Sequence, residues 1–275
     1  MSDPVFVHSS ALCETTDIGP GSRVDAFAAV AVDCILGDDC TIGAGAHILS
    51  GALIGSNAVV GANAVVGRGI AVSRGAVIEP GSVVTDPVPA NAIVRGNPAR
   101  IVGYVGGDPD HLPTTRVEVS AALGNRPTRV RGVSIYGLTR AHDLRGSLMA
   151  VEFADLPFVP VRVFSVSGVP GEHIRGSHAH RECAQLLICV SGSLSCVADD
   201  GESREEVRLD SPDFGLYTPA MTWNTQYKYS PDAALLVLAS HPYDPFDYIR
   251  DYDEFLRLAR SPGADVRGEV ARLAG

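Results

Sequence analysis

The 275-residue chain is poor in lysine and in aromatic residues. Lys228 is its single lysine, so nearly all of its positive charge is arginine, and Trp223 is its single tryptophan. No apolar run approaches the roughly 20 residues that a membrane-spanning helix needs. The first residues also lack the basic start and apolar core of a signal peptide. We therefore expect no membrane partner.

Positive charge is also in deficit, because 22 basic residues face 32 acidic ones and the formal net charge is −10. This balance argues against nucleic acid as a partner, although a local arginine pocket could still bind a phosphate. The six cysteines show no paired spacing and lie mostly within apolar runs. We therefore expect reduced thiols and a cytoplasmic protein.

Aliphatic residues recur at every sixth position from Leu12 to Val84 without a slip. Six residues turn an α-helix by about 600°, so a helix cannot keep them on one face, whereas a coil of short strands and turns can. Glycine follows several of them, as in Ile42-Gly43 and Val60-Gly61, and we expect it to permit the corners. The repeat predicts about four coils of three hexads, ending before Thr85.

This pattern resembles the hexapeptide repeat of left-handed parallel β-helices, and residues 85–100 resemble the closing segment of hexapeptide acyltransferases. The resemblance implies a trimer that binds acetyl-CoA between subunits and uses a histidine base. His47, the one histidine on the coils, is the acyltransferase candidate, and a plain corner residue is the alternative. Because no long loop interrupts the coils, a trimerising scaffold remains open for residues 1–103.

The rest of the chain divides into three parts. Glycine and proline clustering predicts a linker over 104–128. Residues 129–260 alternate short apolar runs with turns, which is typical of a β-sandwich or barrel. Apolar residues at helical spacing, from 248 onward, predict a helix over 245–259, and 261–275 are expected to form a tail. The expected fold class is all-β, a β-helix followed by a barrel with a C-terminal helix.

His178 and His180 are one residue apart in a β-rich segment, so both side chains should point to one face of a strand. With Gln185 and Gly192 they resemble the first cupin motif, and 215–224 resembles the second. Gln185 replaces the usual acid and Asn224 the usual histidine, and neutral amides are poor ligands for Zn or Fe. We therefore expect no metal, and interpret the histidines as proton-transfer or substrate-binding groups; backbone hydrogen bonding is the alternative.

Many separated segments between 130 and 256 look like the dTDP-4-keto-6-deoxyglucose 3,4-ketoisomerases, and the two-domain order resembles WxcM-like bifunctional proteins that join a sugar N-acetyltransferase to the ketoisomerase. The segments include 143–148, 162–164, 175–180, 185–188, 215–217 and 247–250. The resemblance implies an isomerase that makes a 3-keto-6-deoxyhexose on the route to 3-amino-3,6-dideoxyhexoses. It also implies a dTDP-sugar substrate and no cofactor for the isomerase.

Moving a ketone from C4 to C3 requires a base whose pKa lies near the working pH, and the unperturbed pKa of histidine is about 6.5. His178 is the candidate base, and His180 is the candidate proton shuttle or orienting group. By resemblance, Arg145 is a third catalytic candidate that goes with galacto-configured products. Arg162 and Arg175 are expected to contact the diphosphate or sugar.

Four further residues are substrate-binding candidates. Gln185 either contacts the substrate or supports the histidines, and Tyr217 and Trp223 either contact thymine or pack the barrel. Asn224 stands where the family often has histidine or arginine, and Ser165 stands where a tyrosine is common. If either missing group carries the second proton transfer, we expect weak turnover or altered product stereochemistry.

Three other functions remain open on this evidence. They are an epimerase acting on the same sugar nucleotide, a non-catalytic sugar-nucleotide-binding scaffold, and a metal-dependent cupin dioxygenase. Trimeric β-helices and dimeric cupins on one chain predict a hexamer, a trimer of dimers.

Overall fold

The computed structural model describes residues 4–106, 125–143, 146–171 and 173–260. The chain forms two compact units, Met1–Leu112 and Pro113–Gly275. Most of the predicted linker and the whole predicted tail lie outside the described residues, and the predicted domain boundaries stay predictions. None of the helices in the described ranges has the length and apolar character that crossing a bilayer requires.

The first unit consists of short strands. They are β1 (Phe6–Val7), β2 (Leu12–Cys13), β3 (Arg23–Val24), β4 (Ala29–Val30), β5 (Ile35–Leu36), β6 (Thr41–Ile42), β7 (His47–Ile48), β8 (Leu53–Ile54), β9 (Val59–Val60), β10 (Val65–Val66), β11 (Ala71–Val72), β12 (Val77–Ile78), β13 (Val83–Val84), β14 (Ala92–Gly96) and β15 (Ala99–Tyr104).

These strands stack as a parallel β-helix with three faces. The strand orders are β1-β3-β6-β9-β12-β14-β15, β2-β4-β7-β10-β13 and β5-β8-β11. Thr41 pairs with Val59, and Val59 with Val77, so each coil takes three hexads. Only β15 runs antiparallel, against β14. The predicted hexapeptide β-helix is confirmed.

The sixth-position side chains form the β-helix core from Val24 to Val84, each at most 2% exposed. The predicted phase is wrong at the first coil, where Leu12 is 63% exposed. Cys13, not Leu12, pairs with the core residue Val30, so the repeat slips by one residue there. The predicted end at Thr85 is also wrong, because Val88 pairs with Val72 and extends the coil.

The glycines that follow the aliphatic residues have a different role from the one predicted. A Cβ on Gly55 would lie 2.6 Å from the backbone nitrogen of Arg74, and one on Gly61 would lie 2.6 Å from that of Pro80. The next coil therefore leaves no room for a side chain. The left-handed corner residue comes two positions later, as at Asn57, whose φ is 62°.

The second unit has thirteen strands in its described part. They are β16 (Arg126–Pro127), β17 (Ser134–Gly137), β18 (Thr139–Asp143), β19 (Gly146–Ala150), β20 (Arg162–Ser167), β21 (Arg175–His180), β22 (Gln185–Ser191), β23 (Leu194–Asp199), β24 (Arg204–Leu209), β25 (Phe214–Thr218), β26 (Trp223–Tyr227), β27 (Ala234–Ala239) and β28 (Tyr248–Ile249). Single 3₁₀ turns lie at Phe153–Asp155 and Pro245–Asp247.

Two antiparallel sheets of this unit pack face to face, in the orders β16-β17-β25-β22-β27-β20 and β24-β23-β26-β21-β28. A hairpin of β18 and β19 is separate. Leu187 and Leu235 of the first sheet meet Leu194 and Cys196 of the second in one buried cluster. The apolar side chains on these inner faces are the reason that the sheets pack, and the predicted all-β barrel is confirmed.

The helix α1 (Tyr252–Ala259) follows β28. It begins where the Asp251 side chain accepts a hydrogen bond from the backbone N–H of Glu254, at 2.7 Å. Phe255 and Ala259 bury its apolar face. The predicted helix included residue 248, but the structure pairs Tyr248 with His180 as strand, so the helix is shorter than predicted.

Candidate active site

A cavity of about 140 Å³ lies between the two sheets of the second unit. One wall comes from β20, β22 and β27 and the other from β21 and β26. Its lining includes Arg162, Phe164, Val166, Arg175, Gly176, His178, His180, Cys183, Gln185, Leu187, Thr218, Asn224, Gln226, Val237 and Tyr248. The cavity thus collects both histidines and four of the other predicted site residues.

A bulge in β21 sets the direction of the histidines. The strand register shifts between Gly176 and His178, and Gly176 and Ser177 both have positive φ, at 76° and 52°. A Cβ on Gly176 would lie 2.7 Å from the carbonyl oxygen of Asn224. His178 then pairs with Asn224 across the strands, and the His178 and His180 rings lie 5.0 Å apart between centroids.

The hydrogen bond of His178 leaves one ring nitrogen for chemistry. Its Nδ1 lies 2.9 Å from the carbonyl oxygen of Gly176. A carbonyl only accepts, so Nδ1 carries the proton and Nε2 keeps its lone pair. Burial lowers the pKa of His178 to about 4, against the Gly176 hydrogen bond, which acts to raise it. The imidazole is therefore neutral at physiological pH and can accept a proton at Nε2.

Both ring nitrogens of His180 are already engaged. Its Nδ1 donates to the Asp247 carboxylate at 2.7 Å, and its Nε2 lies 3.1 Å from the amide nitrogen of Gln185. Burial lowers the pKa of His180, although Asp247 opposes that shift. His180 is thus held in one tautomer, and Gln185 caps the lone pair that a base would use.

Asp247 was not among the predicted site residues. Burial acts to raise its pKa, but hydrogen bonds from the backbone N–H of Glu182 and from His180 hold that pKa below the usual value. The carboxylate therefore stays charged beside His180. Sequence reasoning missed this role because Asp247 lies 67 residues after its partner, although the segment 247–250 was part of the family resemblance.

Aromatic and cationic groups surround the histidine pair. The Tyr248 ring packs against His178 and His180 at centroid distances of 4.8 and 4.4 Å. The Arg250 guanidinium lies 4.6 Å from the centre of the Tyr248 ring. Arg162 and Arg175 both line the cavity, so cationic donors face the space where a phosphorylated sugar could bind.

Asn224 lies on the cavity wall, 6% exposed. Its Oδ1 accepts from the Cys196 thiol at 3.2 Å and from the Gln226 amide at 2.5 Å. Its Nδ2 is buried and has no hydrogen-bond partner in the described structure. Leaving a buried donor unsatisfied costs about 1–3 kcal/mol, so this donor calls for an explanation.

Several predicted residues lie elsewhere. Trp223 does not line the cavity but packs on Tyr252 and Phe255 at 5.0 and 5.6 Å, beneath α1. Tyr217 stacks on Phe158 at 6.0 Å on the other face of its sheet. For both, the structure favours barrel packing over substrate contact. Because residues alternate across a strand, the exposed Ser165 faces away from the cavity that Phe164 lines.

Two other predicted residues are not among those that line the cavity in the described structure. Arg145 lies outside the described residues. His47 is exposed on β7 of the first unit, between Ala29 and Val65 of the neighbouring coils. Its acyltransferase role stays a prediction.

His180, Cys183 and Asp247 could in principle hold a metal, since their ligand atoms lie within 4.8 Å of one another. The donor chemistry fits poorly, however. The Nδ1 proton of His180 already binds Asp247, and burial raises the pKa of the Cys183 thiol, which must ionise to bind a metal. The prediction of no metal stays a prediction.

Comparison with known proteins bears on the second unit most directly. The family model described as WxcM-like, C-terminal matches residues 131–260, and a model for the hexapeptide repeat of succinyl-transferase matches 34–68 and 51–86. A curated relative, the TDP-4-oxo-6-deoxy-alpha-D-glucose-3,4-oxoisomerase of Aneurinibacillus thermoaerophilus, is 44% identical over 127 residues, which cover 46% of this chain and 91% of the relative.

Two solved structures are also similar. A 3,4-ketoisomerase from Helicobacter canadensis is 37% identical, with 47% of this chain and 98% of that chain covered and a TM-score of 0.46. The WlaRB TDP-quinovose 3,4-ketoisomerase of Campylobacter jejuni is 41% identical, with 46% and 99% covered and a TM-score of 0.45. The match to the curated relative covers nearly the whole length of that protein, and the residues that line the cavity lie within the family match at 131–260.

Proposed function

The chain belongs to the WxcM-like family of sugar 3,4-ketoisomerases, and from this premise we propose that its cavity converts a TDP-4-oxo-6-deoxy sugar into the 3-oxo isomer. The observation that carries the proposal is the pair of neutral histidines in a cavity whose cationic lining suits a diphosphate. The 44% identity with the oxoisomerase of Aneurinibacillus thermoaerophilus supports the substrate class, TDP-4-oxo-6-deoxy-α-D-glucose.

The reaction needs only proton transfers. A base removes the proton on C3, the C–H electron pair forms the C3–C4 double bond, and the carbonyl pair moves to the oxygen on C4. Reprotonation at C4, with loss of the O3 proton and gain of one at O4, completes the exchange. No electron leaves the substrate, so we propose that the isomerase works without a redox cofactor.

His178 is the base in this proposal. Its Nε2 lone pair is free of the Gly176 contact, and its burial keeps it neutral. A neutral imidazole within reach of C3 is what general-base catalysis requires. His180 is better suited to orientation, because Asp247 and Gln185 occupy both of its nitrogens.

Arginine supplies the substrate contacts. Arg162 and Arg175 approach the cavity from opposite sheets, so a diphosphate could be held from two sides. Arginine stays protonated and offers paired donors to phosphate oxygens. A galacto configuration of the product is a further part of the proposal, and it rests on Arg145 alone.

The β-helix adds a separate possibility. The match to a succinyl-transferase repeat supports an acyltransferase role, for which acetyl-CoA stays the predicted donor and His47 the candidate base. Against that role, no described side chain makes a hydrogen bond that would orient His47, which lies exposed on a flat strand. Titration of the full-length protein with acetyl-CoA tests this point. The predicted hexamer also stays a prediction.

The deciding experiment is an NMR time course with TDP-4-oxo-6-deoxy-α-D-glucose in D2O. We expect wild type to form the 3-oxo isomer, with solvent deuterium at the new carbinol carbon. His178→Asn should lose this activity, by about 10²–10⁴-fold, while His47→Asn keeps it.

Other outcomes separate the competing functions. Deuterium at C5 would point to an epimerase instead. Tight binding without conversion would point to a non-catalytic sugar-nucleotide-binding protein. Equal rates in wild type and His178→Asn would refute the assigned base.

A further inference from the structure

The amide nitrogen of Asn224 is an unusual polar group on the cavity wall. Polar atoms buried in a protein nearly always have a hydrogen-bond partner. This nitrogen is buried and has none in the described structure, whereas the oxygen of the same amide accepts two hydrogen bonds. The hydrogen bonds to the oxygen therefore fix the orientation of the side chain, and the nitrogen has no partner in the described structure.

The orientation of this amide is well defined. Burial raises the pKa of Cys196 to about 12, so its sulfur remains a protonated thiol that donates to Asn224 Oδ1. Gln226 donates to the same oxygen from two residues along β26. Two donors on one oxygen determine which end of the amide is the oxygen, and they leave the N–H groups on the other end.

The position of the donor relative to the base is also fixed. Asn224 pairs directly with His178 across β26 and β21, and side chains opposite each other in antiparallel strands lie side by side. The oxygen that becomes negative in the reaction is two bonds from the carbon that loses its proton. A donor that stabilises this oxygen must therefore lie beside the base, as Asn224 does.

We propose that the Asn224 carboxamide donates a hydrogen bond to the C4 oxygen as it becomes an enediolate, and that this oxygen is the partner its nitrogen lacks. The role rests on the isomerase function proposed above. A carboxamide neither gains nor loses a proton at neutral pH, so Asn224 stabilises charge while His178 moves the proton. The donor is fixed before the substrate binds, which is the condition for effective electrostatic stabilisation.

The test compares Asn224→Asp and Asn224→Ala with wild type and with Thr225→Ser. Asp keeps the acceptor oxygen for Cys196 and Gln226 but removes the N–H groups, and Ala removes the whole amide. Thr225 is the next residue on β26, is also buried, and does not line the cavity; serine at this position keeps the hydroxyl that lies 3.3 Å from the Ser177 hydroxyl. The measurements are kcat and KM for TDP-4-oxo-6-deoxy-α-D-glucose, and the affinity for TDP alone.

Both Asn224 variants should lose about 10²–10³-fold in kcat, with KM and the TDP affinity nearly unchanged, and Thr225→Ser should resemble wild type. Unchanged TDP affinity also shows that the variants fold. A kcat within threefold of wild type in either Asn224 variant overturns the proposal, as does a loss confined to TDP affinity. If wild type itself does not isomerise the sugar, the proposed function fails instead, and the two failures are thus distinguishable.

Discussion

The two units of the chain each place a histidine on a β-strand, with opposite consequences. His47 lies in a coil whose two-residue strands alternate one core position with one outward position, and it occupies the outward one. His178 and His180 lie on the inner face of a two-sheet sandwich and line a cavity. The interior of the coil is narrow and is filled mainly by aliphatic side chains with a few small polar ones such as Ser22 and Ser82, so a residue as large as His47 lies outside. Two packed sheets can instead enclose polar groups where the inner faces separate.

This contrast has an energetic side. The sixth-position residues of the β-helix core from Val24 to Val84 are all aliphatic and at most 2% exposed, so their burial mainly stabilises the fold. The cavity wall instead contains the buried His180, the half-buried His178 and an amide with an unsatisfied donor, and burying such polar groups costs folding free energy. Substitutions in the β-helix core should therefore lower the free energy of unfolding, and substitutions in the cavity wall should lower kcat.

The largest effect on stability should come from Ile48→Ala, which removes a side chain that is 1% exposed in the β-helix core. We expect a loss of about 2–5 kcal/mol in the free energy of unfolding, measured by urea denaturation. Its neighbour Leu49, 39% exposed, is the matched control, and Leu49→Ala should cost clearly less. Isomerase kcat at 25 °C should stay at the wild-type value in both. A fall in kcat without unfolding would show that the two units are coupled in catalysis.

The next largest effect should come from Asp247→Asn, which removes the charge that holds His180 in one tautomer. We expect kcat to fall about 100-fold while the affinity for TDP is retained. Asp244→Asn is the matched control, because Asp244 is exposed and caps only the backbone N–H of Phe246. Equal kcat values for the two variants would mean that catalysis does not depend on the Asp247 carboxylate beside His180.

The dependence of kcat/KM on pH tests whether burial keeps His178 neutral. Burial lowers the pKa of His178 to about 4, so the base is neutral above that value and becomes protonated only below it. The acid limb of kcat/KM should therefore fall through about pH 4, and the profile should be flat across about pH 6.5, where an unperturbed histidine titrates. An inflection near pH 6.5 that disappears in His178→Asn would contradict the assigned burial effect.

The lowered pKa of His178 also makes the free energy of unfolding depend on pH. Because the folded pKa of His178 is below its unfolded value, the unfolded chain takes up the proton first as pH falls. The contribution of neutral His178 to stability is thus fully present above about pH 6.5 and is lost progressively toward pH 4. The difference between the unfolding free energies of wild type and His178→Asn should therefore become smaller as the pH falls from about 6.5 toward 4.

The sequence predicts a good part of this molecule, and the reasons differ between its regions. The six-residue period predicts the β-helix because a single geometric rule holds over many coils. It is wrong at Leu12, because Cys13 takes the place beside the core residue Val30 in the first coil. The His178 and His180 pair is predictable because alternation along one strand is a local rule.

Other parts of the site depend on distant contacts. Asp247 reaches His180 from 67 residues away, and no local pattern marks that contact. Trp223 and Tyr217 are large aromatic residues, which either line a site or pack a core. The choice depends on α1 and on Phe158, which cover them here. The unsatisfied Asn224 nitrogen likewise becomes visible only when the neighbours of its oxygen are known.

The smallest effect on kcat and KM is expected at Ser165, which lies next to Phe164 on β20 but on the opposite face of the strand. The sequence predicts that Ser165, as a departure from the family's usual tyrosine, could weaken turnover. The structure puts it on the exposed face of β20, while Phe164 next to it lines the cavity. Ser165→Tyr should therefore leave kcat and KM within about twofold, as surface substitutions usually do, whereas Phe164→Ala should change KM through lost packing in the cavity. A large gain in kcat for Ser165→Tyr would mean that the outer face of this strand takes part in the reaction after all.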